Sequence, residues 1–205
     1  MSVVSPHALW ACEQELCAHG VNRERWLQLA GLPRHLRIDQ ACPWEDAVEL
    51  VDAAADIVGR AGLRSAGRRL VAHPALSRVY GVLPRLQHPD ASIHLLAMVL
   101  GGVVLPTSHW TVQTVTEGST LTGSLHKHDI ACPNAFLIVA GAAEFAPTLF
   151  GLDPATVALR STDRVTSMLV TYPQTPEHPP SSPAEMMGLA TVSYTHLTLP
   201  TIYAV

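Results

Sequence analysis

The residues of this 205-residue chain whose types and spacing could do chemistry are its histidines, a run of arginines and four cysteines. His126-Lys-His128-Asp129 closes a β-like run, where alternate side chains face the same way, so two imidazoles share a face at a spacing that metal sites use. His73, His88, His94 and His109 could join them. No second close ligand pair accompanies them, and the expectation is no metal. Cys12, Cys17, Cys42 and Cys132 form no Cys-x-x-Cys pair and stand at no zinc-finger spacing with histidine. They read as reduced, mostly buried thiols of a cytoplasmic protein. Arg60, Arg64, Arg68 and Arg69 make the dense basic stretch; steps of four place three guanidinium groups on one helix face, expected to be a solvated one. The formal charge of −4 and pI near 6.2 give no electrostatic footprint for nucleic acid.

Nucleophilic and phosphate chemistry lack their usual frames. There is no Gly-x-Ser-x-Gly elbow, no phosphate-binding glycine loop and no Gly-x-Gly-x-x-Gly after a strand. Glu45 and Asp46 fall at a helix start, where capping and the helix dipole explain them. Gly101-Gly102 reads as a helix stop or a close packing point. No catalysis is expected within these residues.

The elements that must position any site fall into two halves. Residues 1–106 read as a helical subdomain. Ser5-Pro6 caps a helix with Leu9, Cys12 and Leu16 on one face, and Gly20 ends it. A short helix follows over Asn22 to Ala30. Pro43 opens another with the stripe Trp44, Ala47, Val48, Val51, Ala55 and Val58. Gly62 to Ala72, Leu76 to Leu86, and Ala91 to Leu105 capped by Asp90 complete the half.

Residues 107–173 change period. His109 to Glu117 and Ser119 to Lys127 flank Gly118 as a hairpin, Pro133 to Phe150 returns to helix with Pro147 kinking its last turn, and Ala155 to Ser161 and Val165 to Tyr172 make a second hairpin. The expected class is α+β: a helical bundle followed by a four-stranded antiparallel ββαββ sheet with a helix across one face. A helix lying over such a sheet can leave a concave gap for a small apolar ligand, lined by Trp110, Phe136, Val139, Phe145 and Tyr172. Leu95 to Leu105 is too short to span a membrane, and Ile130 to Leu152 is broken by Pro133, Glu144 and Pro147.

From Pro173 the composition becomes proline- and serine-rich, and 174–191 reads as an extended linker to a further module. Residues 192–205, Val-Ser-Tyr-Thr-His-Leu-Thr-Leu-Pro-Thr-Ile-Tyr-Ala-Val, resemble a translated sequencing adapter. The resemblance implies a non-native tail on a truncated metagenomic reading frame.

Gly20-Val-Asn-Arg-Glu-Arg-Trp-Leu, the Trp44-Glu-Asp helix, Gly62-Leu through Gly67-Arg-Arg-Leu70 and Pro147-Thr-Leu-Phe-Gly-Leu-Asp-Pro154 together resemble bacterial N-terminal sensory domains of histidine kinases. In order they are similar to the haem-NO-binding and vinyl-reductase sensor folds, and the front half resembles the effector-binding region of AraC-type transcription regulators. The resemblance implies a bacterial, cytoplasmic input domain for a small ligand or protein partner, a homodimer through the full-length protein, and an output module beyond the linker. A kinase is the first expectation, an AraC-type regulator the second, and a stand-alone haem or small-ligand carrier the third. The Tyr-x-Ser-x-Arg pattern for haem propionates and the vinyl-reductase cysteine cluster are missing, so no cofactor, haem included, is expected.

Overall fold

The computed structural model describes residues 3–74, 89–101, 108–116, 118–125, 129–162 and 164–172. Ser5 takes extended backbone and its hydroxyl accepts from the His7 amide at 3.3 Å, while Pro6 needs no amide partner in the first turn, so α1 (Pro6–Ala18) starts where the sequence places it. Gly20, at φ 77°, turns the chain out of it. Asn22 caps α2 (Arg23–Leu29) through its side-chain oxygen, 2.9 Å from the Arg25 amide.

Helix α3 (Trp44–Val71) joins what the pattern reads as two helices. Its one non-helical residue is Gly59, at φ 66° and ψ −177°, a conformation costly for any residue with a Cβ, so a single residue makes the bend between the stripe ending at Val58 and the helix read from Gly62. Before α3, Val3–Val4 (β1) pairs with Cys42–Pro43 (β2), a bridge too short to show alternation in sequence. Trp26 donates its indole N–H to the Leu50 carbonyl and Trp44 to the Ile130 carbonyl, both at 2.8 Å, which satisfies two deeply buried rings.

Helix α4 (Pro89–Val99) leads toward the sheet. The expected helix Leu76 to Leu86 lies outside the described residues. Strands β3 (Ser108–Val115) and β4 (Gly118–Leu125) precede α5 (Pro133–Phe145); β5 (Thr156–Ser161) and β6 (Val165–Thr171) follow it. All pairings are antiparallel and the strand order is β3-β4-β6-β5, which is the expected α+β, ββαββ arrangement with a helix across one face. Gly118 differs from expectation. It is the first residue of β4, at φ 150°, and a Cβ there would stand 2.0 Å from the Val170 carbonyl oxygen, so both its backbone conformation and the close strand approach require glycine. Pro147 also acts slightly earlier than expected: the α-helix ends at Phe145 and Ala146–Phe150 tightens into a 3-10 turn.

Helix α5 is buried on every side from Ala135 to Glu144, which its nearly all-apolar sequence anticipates. It packs on α3 on one side and on β5 and β6 on the other. The α3–α5 crossing is glycine-made. A Cβ on Gly67 would sit 1.9 Å from the Ile138 carbonyl oxygen, and one on Gly141 would sit 1.9 Å from that of Arg64. The helices thus touch backbone to backbone, and one core runs from Leu9 and Trp26 through Phe136 to Met168 and Val170. The described residues belong to one compact unit, and the linker and tail, Gln174–Val205, lie outside the described residues. No helix among the described residues is long and apolar enough to cross a membrane.

Candidate ligand-binding site

Three places could hold something: the contact between α5 and the sheet, a void between α1, α3 and α5, and a groove where α3, α5 and the start of β5 meet. At the first, Trp110 on β3 meets Phe136 on α5 edge to face, with ring centroids 6.4 Å apart. Gly123, opposite Trp110 in the register, leaves room for the indole, since a Cβ there would be 2.3 Å from the ring. The indole N–H donates to the Ser108 hydroxyl. Both rings are buried.

The void has a volume of about 30 Å³ and is lined by apolar residues, among them Leu9, Trp44, Val48, Leu70 and Val139, with Cys132 at its edge. At roughly 10–15 Å³ per water it could admit about two waters, and with no polar partners it should stay dry. Burial pushes the Cys132 thiol up to about 12, so it is a neutral thiol at physiological pH. Cys12 is likewise pushed up to about 12, and Cys42 to about 11, by burial. Cys17 is exposed, and all four are free.

The groove is larger, about 380 Å³, and open, with Arg64, Arg68, Glu144, Phe145, Thr156 and Val157 among its walls. The Glu144 carboxylate, only 10% exposed, accepts from Arg64 on one oxygen and from Arg68, at 3.0 Å, on the other. The basic stretch is therefore not simply a solvated face. Arg69, next along α3, reaches Glu15 of α1 through Nε at 2.8 Å, and Ser65 donates to the same oxygen at 2.7 Å. Burial pushes the Glu15 carboxyl up, but hydrogen bonds from Arg69 and Ser65 and the adjacent positive charge outweigh it and hold the group below the usual range.

The five residues expected to line one gap thus stand in different surroundings. Trp110 and Phe136 meet, Val139 faces the void, Phe145 borders the groove, and the Tyr172 hydroxyl is 3.1 Å from that of Ser119 at the end of the sheet. Glu144 was the missed residue. A lone carboxylate in an otherwise apolar helix, with no cation three or four residues away, signals a long-range basic partner. Of the histidines, His73 stacks edge-on with Trp10 and His7 at 4.5 and 4.6 Å, and His94 and His109 are exposed. His88, His126 and His128 lie outside the described residues. Among the described residues no three His, Cys, Asp or Glu side chains gather as a metal site.

No protein-family model matches the chain, and no curated protein matches it in sequence. Solved structures do. The Fe(II) unliganded H-NOX protein from K. algicida superposes with a TM-score of 0.58 at 8% identity, over 85% of this chain and 100% of that one. A Cs H-NOX mutant carrying 4-cyano-L-phenylalanine gives 0.52 at 10% identity, over 85% and 99%. A structure from work on haem distortion in the H-NOX family gives 0.53 at 8% identity, over 84% and 97%. At such identities the likeness is one of fold: the chain has an H-NOX-like fold.

That fold raises the question of haem. The void is far below the roughly 300 Å³ where small-molecule sites begin and offers only a neutral thiol. The groove is large enough, but neither histidine nor cysteine borders it. Among the described residues neither of these two places combines room for a haem with a histidine or thiolate to hold it.

Proposed function

We propose that the chain is the sensory input domain of a bacterial signal-transduction protein, with its output, a histidine kinase in the first instance, beyond the proline-rich segment. The observation that carries this reading is the H-NOX-like fold, matched over essentially the full length of the K. algicida H-NOX protein. In this reading the domain binds a ligand without performing chemistry, works in the cytoplasm as part of a homodimer, touches neither nucleic acid nor membrane, and needs no haem. A ligand acts by preferring one of two arrangements, and α5, wedged between α3 and the sheet, is the element through which such a preference would travel. Sequencing the source locus through the codon for Thr191 tests it. A frame running on into a phosphoacceptor helix and ATP-binding domain supports the proposal, two helix-turn-helix units would move the chain to the AraC-type alternative, and a stop codon would end the sensory reading.

A further inference from the structure

We infer that the groove between α3, α5 and the start of β5 binds a small amphipathic monoanion, a carboxylate with a short hydrocarbon tail. The inference deepens the sensory reading and rests on it for the consequence of binding, though not for binding itself.

The charge balance is the first argument. Two guanidinium groups face one carboxylate in the groove, so its walls carry a net charge of +1. Arg64 alone neutralises Glu144; Arg68 is then a surplus cation, 56% exposed and held in place by its contact with the carboxylate. Each guanidinium has five N–H donors in a rigid fork, and each directs one nitrogen to Glu144, which leaves donors for a second carboxylate. A single negative charge completes the balance, and a dianion would overshoot it.

Shape is the second. Phe145 and Val157 give the groove an apolar wall beside the arginines, and Thr156 stands at its exposed side. A volume of about 380 Å³ lies within the range of small-molecule sites, roughly 300–1,000 Å³. A carboxylate on Arg68 and Arg64 with its tail on Phe145 and Val157 uses both features, whereas a purely inorganic anion would leave the wall wet.

Calorimetric titration of the whole chain with octanoate, octan-1-ol and acetate is the test, on wild type, Arg68→Gln and Thr156→Trp. Octanoate is expected to saturate one site per chain, with octan-1-ol, acetate and the Arg68→Gln variant each weaker by about tenfold or more. Thr156→Trp, at an exposed strand position, fills the groove and should abolish binding while circular dichroism shows an unchanged fold. Absence of saturable octanoate binding at millimolar concentration, equal binding of octanoate and octan-1-ol, or wild-type binding by both variants would overturn the inference. These failures leave the output module untouched, and a stop codon after Thr191 would remove the sensory reading while leaving the measured site in place.

Discussion

Glu15 and Glu144 are both buried carboxylates on the inner faces of helices, both are held by arginines of α3, and they end in opposite situations. Around Glu15 one cation meets one anion, and Ser65 completes the coordination. Around Glu144 two cations meet one anion at the wall of a groove. The first arrangement fastens α1 to α3 with one arginine to one carboxylate; the second fastens α5 to α3 and leaves positive charge facing open space. Similar residue types thus give a staple in one place and a receptive surface in the other, and the number of arginines within reach decides which.

The most direct way to break this contrast is to separate α3 from α5. Gly141→Val places a Cβ where the Arg64 carbonyl oxygen lies, 1.9 Å away, and backbone on both sides cannot yield cheaply. Overpacking of this kind costs about 3 kcal/mol or more. For a domain of this size that is about 6–12 °C in Tm by thermal denaturation. The Glu15 cluster, which ties α3 to α1 through the neighbouring Ser65 and Arg69, should survive, so hydrogen exchange is expected to rise in α5 before α1. Unchanged stability would mean that the glycine crossing is not the contact holding the two helices.

Charge removal is the next test in size. Glu15→Gln leaves Arg69 without its anion and should cost about 1–2 kcal/mol in urea denaturation, largely independent of salt. Glu144→Gln leaves Arg64 and Arg68, one helical turn apart, facing each other without a counter-charge. Its cost, about 1 kcal/mol in low salt, should be recovered in large part by added chloride, because solvent ions can enter an open groove. Equal salt dependence of the two variants would remove the distinction between closed and open.

Much of the frame that holds these clusters is legible in the chain because its signals are local. Ser5-Pro6 and Asn22 start helices, Gly20 stops one, and the change from a period near 3.6 to one of 2 after His109 announces the sheet. Strand boundaries fall within a residue or two for the same reason. The clusters themselves are not local: Ser65 is 50 residues from Glu15, and Arg64 is 80 from Glu144. Nothing in Arg60 to Arg69 says which arginine faces a carboxylate and which faces water. Gly118 shows the same limit at the level of one residue, because part of the pressure that selects glycine there comes from Val170 across the sheet, which its neighbours in sequence do not reveal.

Acid should sharpen the comparison with its smallest effects, because the groups at the two ends of α1 respond in different windows. Burial lowers His7, whose Nδ1 lies 2.8 Å from the Ser5 hydroxyl, and burial together with the nearby His7 lowers His73. A histidine held below its ordinary value of 6.5 takes up protons more readily in the unfolded chain, so stability falls as pH drops from about 6.5 toward the lowered native value. Glu15 has the opposite charge and the same final sign. Its carboxyl is held below 4.5, so its contribution is complete above that pH and disappears as pH falls through the depressed native value. A Tm-against-pH profile should therefore show two descending steps. His7→Gln should shrink the upper one, leaving the part that burial of His73 gives, and Glu15→Gln should flatten the lower one, each leaving the other step in place. If Glu15→Gln flattened both, the two steps would not belong to separate groups, and the contrast between the two ends of α1 would fail.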